Sequence, residues 1–247
     1  MRYLILSDMH GNQAALDAVL RRVRRKRFDA TLVLGDLVGY GAAPNQVVET
    51  VRALPGRLVA VRGNHDKVAV GLDPGENFNH VALIAAQWTS RRLTRQNARH
   101  VRDLPRGPRG VDDGLAICHG SPLDEDKYLF SDQDAAEVFT SWDVPVTFFG
   151  HTHVTSVFTL EGRTVRVRQL TGAEGELELV PGNRYLVNPG SIGQPRDGDP
   201  RASYMTYDSG RRRVRWHRLL YQVERAQTLI RKAGHPDVLA DRLAAGM

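Results

Sequence analysis

The sequence predicts an α/β protein, and three observations carry that expectation. Residues 2–64 alternate short apolar runs with helix-like stretches, the pattern of parallel strands joined by right-handed crossovers. From about residue 151 onward the pattern changes to short strand-like runs separated by Gly, Pro and Asn, as in antiparallel sheet. A length of 247 residues suits one large α/β domain, or two small ones. No linker, repeat or low-complexity segment interrupts the chain, so one domain over 1–247 is the economical reading.

The elements follow in order. RYLILSD (2–8) reads as a buried strand. A helix is expected over about 12–26, where Leu16, Val19, Leu20 and Val23 recur at helical spacing. ATLVLGD (30–36) is a second buried strand, and PNQVVETVRAL (44–54) a helix opening on a proline, which suits a first helical position. RLVAVRGN (57–64) is a third strand. Residues 79–103 look helical, with Val81, Leu83, Ile84, Trp88 and Leu93 as apolar candidates. GLAICHG (114–120) and VPVTFFGH (144–151) are strands flanking a helix at 132–142. VTSVFTLEG, RTVRVRQL, GELELV, NRYLVNPG, ASYMTYDSG and RRVRWHRL are the later short strands. Two helices, at about 221–233 and 236–245, close the chain, divided by Gly234 and Pro236.

Composition narrows the class. The chain is 41% hydrophobic and 25% charged, ordinary for a globular protein. No apolar run reaches membrane-spanning length, and MRYLILSD turns polar too early for a secretory signal. The single cysteine, Cys118, excludes an internal disulfide and fits a reducing compartment. A cytoplasmic protein is expected. Net charge is +6 with a pI near 9.8, which suits anionic ligands without locating the charge. The run RRVRRKR at 21–27 reads as a solvated face at a helix end, where cations suit the dipole.

The strand ends carry the chemistry. The first strand ends in Ser7-Asp8-Met9-His10-Gly11-Asn12, the second in Gly35-Asp36 and the third in Gly63-Asn64-His65-Asp66. Later strands end in His119-Gly120 and Gly150-His151-Thr152-His153. Five of the nine histidines therefore fall where ligands bind in open parallel sheets. Gathering imidazoles and carboxylates there is costly unless something neutralises them. A divalent metal does so, and Asp, His and Asn without thiolate suit Mn²⁺, Fe²⁺ or Zn²⁺. There are too many ligands for one ion, so two are expected.

The ordered set D-x-H, G-D, G-N-H-D, H-G and G-H-T-H resembles the calcineurin-like metallophosphoesterases. SDMHGN, GDLVGYGAAPN and NPGSIGQPRDGDPRASY narrow the likeness to small prokaryotic phosphodiesterases of the YfcE and diadenosine-polyphosphatase type. The resemblance covers about 1–220 and the paired C-terminal helices. It implies a four-layer α/β/β/α sandwich of two facing mixed sheets flanked by helices. It also implies that one metal takes Asp8, His10 and His153, the other Asn64, His119 and His151, and that Asp36 bridges them. His65 would serve the leaving group, oriented by Asp66 or by backbone. Many relatives have Asp where this chain has Gly39, but the GDLVGYG form is usual in the nearer subfamily.

The implied chemistry is in-line attack on phosphorus by a hydroxide bridging two ions, with His65 as acid or electrostatic partner. The expected enzyme is a metal-dependent phosphodiesterase or phosphohydrolase for a small, nucleotide-like phosphoester or phosphoanhydride, with Mn²⁺ the favoured ion. Alternatives are a phosphoprotein or phosphomonoester phosphatase, a nuclease, and a non-catalytic scaffold. No aromatic-basic ladder supports a nucleic-acid track, no membrane partner is expected, and a homo-oligomer stays open. Asn12 would contact phosphate by the same resemblance, or else cap the following helix. Arg196 could reach a substrate phosphate, or else pair with Asp197 or Asp199. Asn188, Gly190 and Ser191 are expected in a tight loop facing the site. Tyr40 and Trp88 are candidates to stack on a nucleobase, although a Trp within a helical apolar pattern is more often core. Cys118 should be inert, and His80, His100, His217 and His235 exposed or locally bonded.

Overall fold

Strand β1 (Arg2–Leu6) alternates its side chains between two apolar environments. Tyr3 and Ile5 enter a core shared with Ile117, Phe148, Val187 and Met205, while Leu4 and Leu6 pack with Leu16, Val19 and Val47 of the outer helices. Burial on both faces is why such strands read as unbroken apolar runs instead of alternating ones. The computed structural model describes residues 1–247.

Helix α1 (Gln13–Val23), β2 (Ala30–Val33), α2 (Pro44–Arg52) and β3 (Arg57–Ala60) complete the first crossovers. Pro44 stands at the start of α2, as expected. Then come α3 (Asn64–Ala69), α4 (His80–Arg92), α5 (Arg95–Arg102), β4 (Arg109–Asp112) and β5 (Leu115–Ile117). Helix α6 (Asp132–Ser141), opened by a capping box between Ser131 and Asp134, leads to β6 (Val146–Phe148). Six further strands follow: β7 (Thr155–Glu161), β8 (Thr164–Gln169), β9 (Glu174–Glu178), β10 (Arg184–Pro189), β11 (Ala202–Asp208) and β12 (Arg213–Leu219). Helices α7 (Val223–Lys232) and α8 (Asp237–Ala245) end the chain.

The strands form two six-stranded sheets, ordered β3-β2-β1-β11-β12-β9 and β4-β5-β6-β10-β7-β8. Strands β1, β2 and β3 are parallel, as are β5, β6 and β10. The remaining pairings are antiparallel. One core lies between the sheets. A second lies under α1 and α2, and a third joins Val138 and Phe139 of α6 to Cys118, Phe149 and Phe158. The layers therefore run helix, sheet, sheet, helix, and the α/β/β/α expectation holds. No helix is long and apolar enough to cross a membrane.

Three local expectations need correction. The helix expected over 79–103 is two helices, because Leu93 leaves helical geometry and the Thr94 side chain caps a new start at Asn97 N. The buried face of α4 is Ala82, Ala85, Ala86 and Thr89, with the larger Val81, Leu83, Ile84 and Trp88 only half-buried. Small residues let α7 and α8 approach through Ala226, Ile230, Leu239 and Leu243. Finally, His217 and His235 are buried, not exposed. His235 lies against Trp88 with ring centres 4.6 Å apart. Trp88 is thus half-buried against His235 and is not one of the buried core residues. The basic run behaves as expected, with Arg21, Arg22, Arg24, Arg25, Lys26 and Arg27 exposed.

Candidate metal centre

The parallel strands point their carboxyl ends at one place, and the turns there are unusual. Six non-glycine residues have positive φ, and five of them are Asp8 (52°), His10 (46°), Asp36 (51°), His151 (68°) and His153 (60°). Such left-handed geometry costs about 1–2 kcal/mol per residue. Asp and His tolerate it better than most residues. Strain concentrated in one cluster, with Arg212 alone outside it, marks that cluster as a candidate functional site.

The strained turns converge side chains from all the predicted strand ends. Ligand atoms of Asp8, His10, Asp36 and His153 gather within 4.8 Å of one another, and so do those of Asp36, His119 and His151. Asp36 belongs to both groups. Its Oδ2 lies 3.5 Å from His10 Nε2 and 3.4 Å from His119 Nε2, yet it has no hydrogen-bond partner. His10 Nε2 and His153 Nε2 face each other at 3.0 Å, and His153 Nε2 is 3.3 Å from Asp8 Oδ1. Asn64 Oδ1 joins the second group, 3.1 Å from His119 Nε2. All seven predicted ligands are therefore brought together.

The surroundings prepare the imidazoles. A carbonyl only accepts, so His119 Nδ1–H donates to Leu34 O at 2.8 Å and His153 Nδ1–H donates to Gln194 O at 2.6 Å. Both leave Nε2 with a lone pair directed inward. His151 is turned the other way, its Nε2–H donating to Asp126 O at 3.0 Å and its Nδ1 left for the centre. Burial pushes the pKa of His10 well down, that of His153 down, and that of His151 down to about 3. Burial also opposes the charged form of Asp8, but the neighbouring His153 outweighs it and keeps the carboxyl low. For Asp36, burial is overcome by His119, His65 and His10, leaving it well below the ordinary range. His119 is the exception: burial lowers it, yet the Asp36 charge wins and raises it to about 10. Neutral imidazoles and ionised carboxylates are the forms that bind a cation, so His119 would give up its proton on cation entry, and the residues then fit a divalent pair.

Around this core the loops interlock. Ser191 Oγ donates to Asp8 O at 2.8 Å, and Gly193 N donates to the same carbonyl at 2.9 Å. Asn188 Nδ2 donates to Gly150 O at 2.7 Å. The 188–193 loop thus faces the site as expected and holds its strained turns. Gly39 has φ of +149°; a Cβ there would collide with His10 Nδ1 and come within 3.0 Å of His65 Nδ1. These two nitrogens are buried without partners, and the space leaves no room for a side chain.

The remaining candidates divide. His65 is buried between Tyr40 and Phe78, with ring centres 4.4 and 4.5 Å away, and burial lowers its pKa to about 4. Asp66 does not orient it: its carboxylate accepts from Gly63 N at 3.0 Å and Val38 N at 3.2 Å, tying two strand-end loops together. Burial, then the Asp36 charge, raises Asp66 to about 7. Asn12 is a cap, accepting from Ala15 N at 3.2 Å, while its amide donates to Gly193 O and Tyr221 Oη. Arg196 takes neither carboxylate partner: Asp197 pairs with Arg218, and Asp199 with Arg201 and Arg218. Instead its Nη2 donates to Tyr40 Oη at 3.1 Å and Gln194 Oε1 at 3.3 Å. Cys118 is buried, and burial raises its pKa, so it is unreactive.

Beside the centre lies a cleft of about 270 Å³ lined by Tyr40, Asn64, His65, Phe78, Tyr128 and His151. Tyr128 stacks on His151 with ring centres 3.8 Å apart. Sequence reasoning missed Phe78 and Tyr128 because both sit in irregular loops without periodicity. It also missed the Asp126, Gln194 and Leu34 carbonyls, since a backbone group has no residue signature.

Two facing mixed sheets with a buried His/Asp cluster at the strand ends define a metallophosphoesterase architecture. The calcineurin-like phosphoesterase superfamily domain matches residues 1–211, and the chain belongs to that superfamily. It is 35% identical over 246 residues to the uncharacterized protein MJ0912 of Methanocaldococcus jannaschii, spanning 98% of this chain and 97% of that one. It is 24% identical over 217 residues to the phosphodiesterase YfcE of Escherichia coli strain K12, spanning 85% and 88%. A metallophosphoesterase crystal structure from Sphaerobacter thermophilus superposes with a TM-score of 0.86 at 38% identity, covering 100% and 99% of the two chains. The protein is a hydrolase of phosphoester bonds from a metal-dependent family.

Proposed function

We propose that the protein is a dinuclear-metal phosphodiesterase or phosphohydrolase acting on a small nucleotide-like substrate in the cytoplasm. The observation that carries this reading is Asp36 Oδ2, buried, unpartnered and shared by two ligand groups. Asp8, His10 and His153 would hold one ion, Asn64, His119 and His151 the other, and Asp36 both. Mn²⁺ is the proposed ion, given oxygen and imidazole donors without thiolate. Bound there, the pair activates water and neutralises phosphoryl charge. Residues 1–247 act as one domain.

The chain's own groups do the rest. His65, neutral by burial, lines the cleft with Phe78 and Tyr128, where it meets the departing oxygen. The stacked walls suit a planar ring, and the volume lies just below the usual range for ligand pockets, about 300–1,000 Å³. Arg196, which donates to Tyr40 Oη and has no carboxylate partner, supplies a cation available to a phosphoryl oxygen. Asn12 acts through the loop it anchors at Gly193, and Asp66 through the turn before His65.

The test is hydrolysis of bis(p-nitrophenyl) phosphate and p-nitrophenyl phosphate by metal-stripped protein with Mn²⁺ restored, beside Asp36→Asn. Mn²⁺-dependent turnover of the diester, lost in the variant, is expected. Preference for the monoester would make the enzyme a phosphomonoesterase, and no turnover with any divalent ion would overturn the reading.

A further inference from the structure

We propose that the basic cleft at the amino end of β1, opposite the end that carries the metal centre, binds a compact oligophosphate anion, free or as the phosphate chain of a nucleotide. Such a site does not depend on the phosphoesterase reading, and it locates the positive charge that composition alone leaves unplaced.

The cleft has a volume of about 570 Å³, within the range usual for small-ligand sites, about 300–1,000 Å³. Three separate segments build it. The start of β1 brings Arg2, and the chain leaving α1 brings Arg25, Lys26 and Arg27. The β11–β12 hairpin brings Arg211, Arg213 and Arg215, with Asp208 as the one carboxylate of the lining. Seven cations thus meet one carboxylate, an excess of six that equals the formal charge of +6 on the whole chain. Arg2 opens β1 and Asp8 follows its far end, about 20 Å away at about 3.3 Å per residue. The cleft and the metal centre are therefore separate sites.

Nearby acids offset this charge only in part. Arg213 Nη1 and Arg215 Nε lie 3.4 and 2.9 Å from Glu176, and Arg213 Nη2 lies 3.9 Å from Glu178. Of the seven cations only these two are ion-paired; Arg2, Arg25, Lys26, Arg27 and Arg211 have no carboxylate within ion-pair distance. Asp208 accepts from Arg211 N at 3.1 Å and Asp29 from Arg2 N at 2.6 Å, both through the main chain. The Met1 ammonium, donating to Ser209 Oγ at 2.9 Å, adds a cation beside the same hairpin. Burial, then the Arg22 and Arg215 charges, lowers the Lys26 pKa, and Glu174 opposes the shift without reversing it.

A helix C-terminus attracts cations, which accounts for the arginines at the end of α1 but not for Arg2 or the hairpin. A concave wall of one sign focuses its potential on a ligand. Six of the seven cations are arginine, whose planar fork matches phosphate oxygens. A single-stranded nucleic acid needs exposed aromatic platforms. The aromatic residues here, Phe28 and Tyr207, are half-buried and buried, and each packs into a core. The cleft therefore suits a short chain of phosphoryl groups and not a stacked strand.

The experiment is calorimetric titration of the full metal-stripped chain with sodium tripolyphosphate, beside orthophosphate and a single-stranded oligothymidylate. Tripolyphosphate should bind at least about tenfold more tightly than orthophosphate, a difference of about 1.4 kcal/mol. The double variant Arg27→Gln, Arg211→Gln should lose at least about tenfold of that affinity; both side chains are exposed and unpaired, so the fold is kept. A second double variant, Arg25→Gln with Lys26→Gln, should lose a similar factor. Arg196→Met, beside the metal centre, should bind tripolyphosphate as the native chain does. No native binding, a ratio to orthophosphate near one, or an affinity unchanged in both double variants overturns the proposal. A loss in Arg196→Met instead would put the anion at the metal centre and overturn it too. Tighter binding of the oligothymidylate, lost with the same cations, would make the face a nucleic-acid track and overturn the oligophosphate. Because no metal is present, none of these outcomes bears on diester turnover.

Discussion

Removing the Asp197 carboxylate should destabilise the protein by about 3 kcal/mol. The Arg218 and Asp197 side chains are 2% and 1% exposed, and the pair is bidentate, with Nη1 to Oδ1 at 3.0 Å and Nη2 to Oδ2 at 2.7 Å. Breaking a buried pair by deleting one partner costs about 3–5 kcal/mol, because the other charge is left unpaired. Here the lower end applies: Asp199 Oδ2 remains 3.4 Å from Arg218 Nη1, and Leu170 O still accepts from Nη2 at 2.9 Å. In a chain of this size that is about 6–12 °C in melting temperature. The assay is urea denaturation of metal-stripped Asp197→Leu, Arg218→Met and the double variant. If the logic is right, the double variant is more stable than Asp197→Leu, since it buries no orphaned charge. A single-variant cost below about 1 kcal/mol, or a double-variant cost equal to the sum of the singles, would refute it.

Other expectations follow from the same geometry. Gly39→Ala should lose about 1–3 kcal/mol of stability and most Mn²⁺-dependent turnover, because its Cβ drives against His10; Gly56→Ala, at φ +83° with open space around it, should lose stability alone, and melting curves beside diester rates separate the two. His65→Asn should lower kcat by about 10²–10⁴ for an alkyl leaving group and less for p-nitrophenolate, whose departing charge is already delocalised; equal losses would contradict a role for His65 at the departing oxygen. Burial opposes the charge of Glu125, but Arg62 and Lys67 outweigh it and lower its pKa. Its contribution to stability is therefore present above the ordinary glutamate pKa and is lost as pH falls through the depressed one. Melting temperatures of native and Glu125→Gln protein should differ near neutrality and converge under acid; a difference that grows towards low pH would reverse the sign.

Much of the site was legible because chain order and strand ends coincide. Asp8, Asp36, Asn64, His119 and His151 each follow an apolar run directly, so a parallel sheet delivers them to one edge. The α/β class was legible for the same reason, and the later strands from their turn residues. What escaped has a physical cause. The break at Leu93 and Thr94 interrupts a pattern that stays helical on both sides. Apolarity suggested the large residues of α4 as its inner face, whereas close helix approach selects alanines. Asp66 follows His65 in sequence, but the helical turn directs its carboxylate back to Gly63 N. Phe78 and Tyr128 reach the centre only through tertiary folding of loops. The left-handed turns at five cluster residues are likewise invisible to residue identity, since Asp and His occupy ordinary backbone elsewhere.

The central claim is a pair of ions joined by Asp36, and counting Mn²⁺ by equilibrium dialysis tests it most directly. Metal-stripped native protein should bind two ions per chain. Asp36→Asn, which keeps the side chain's shape but removes the shared charge, should lose at least one of them and weaken the other. A native count of none or one, or two ions held as tightly by Asp36→Asn as by the native chain, would contradict the account.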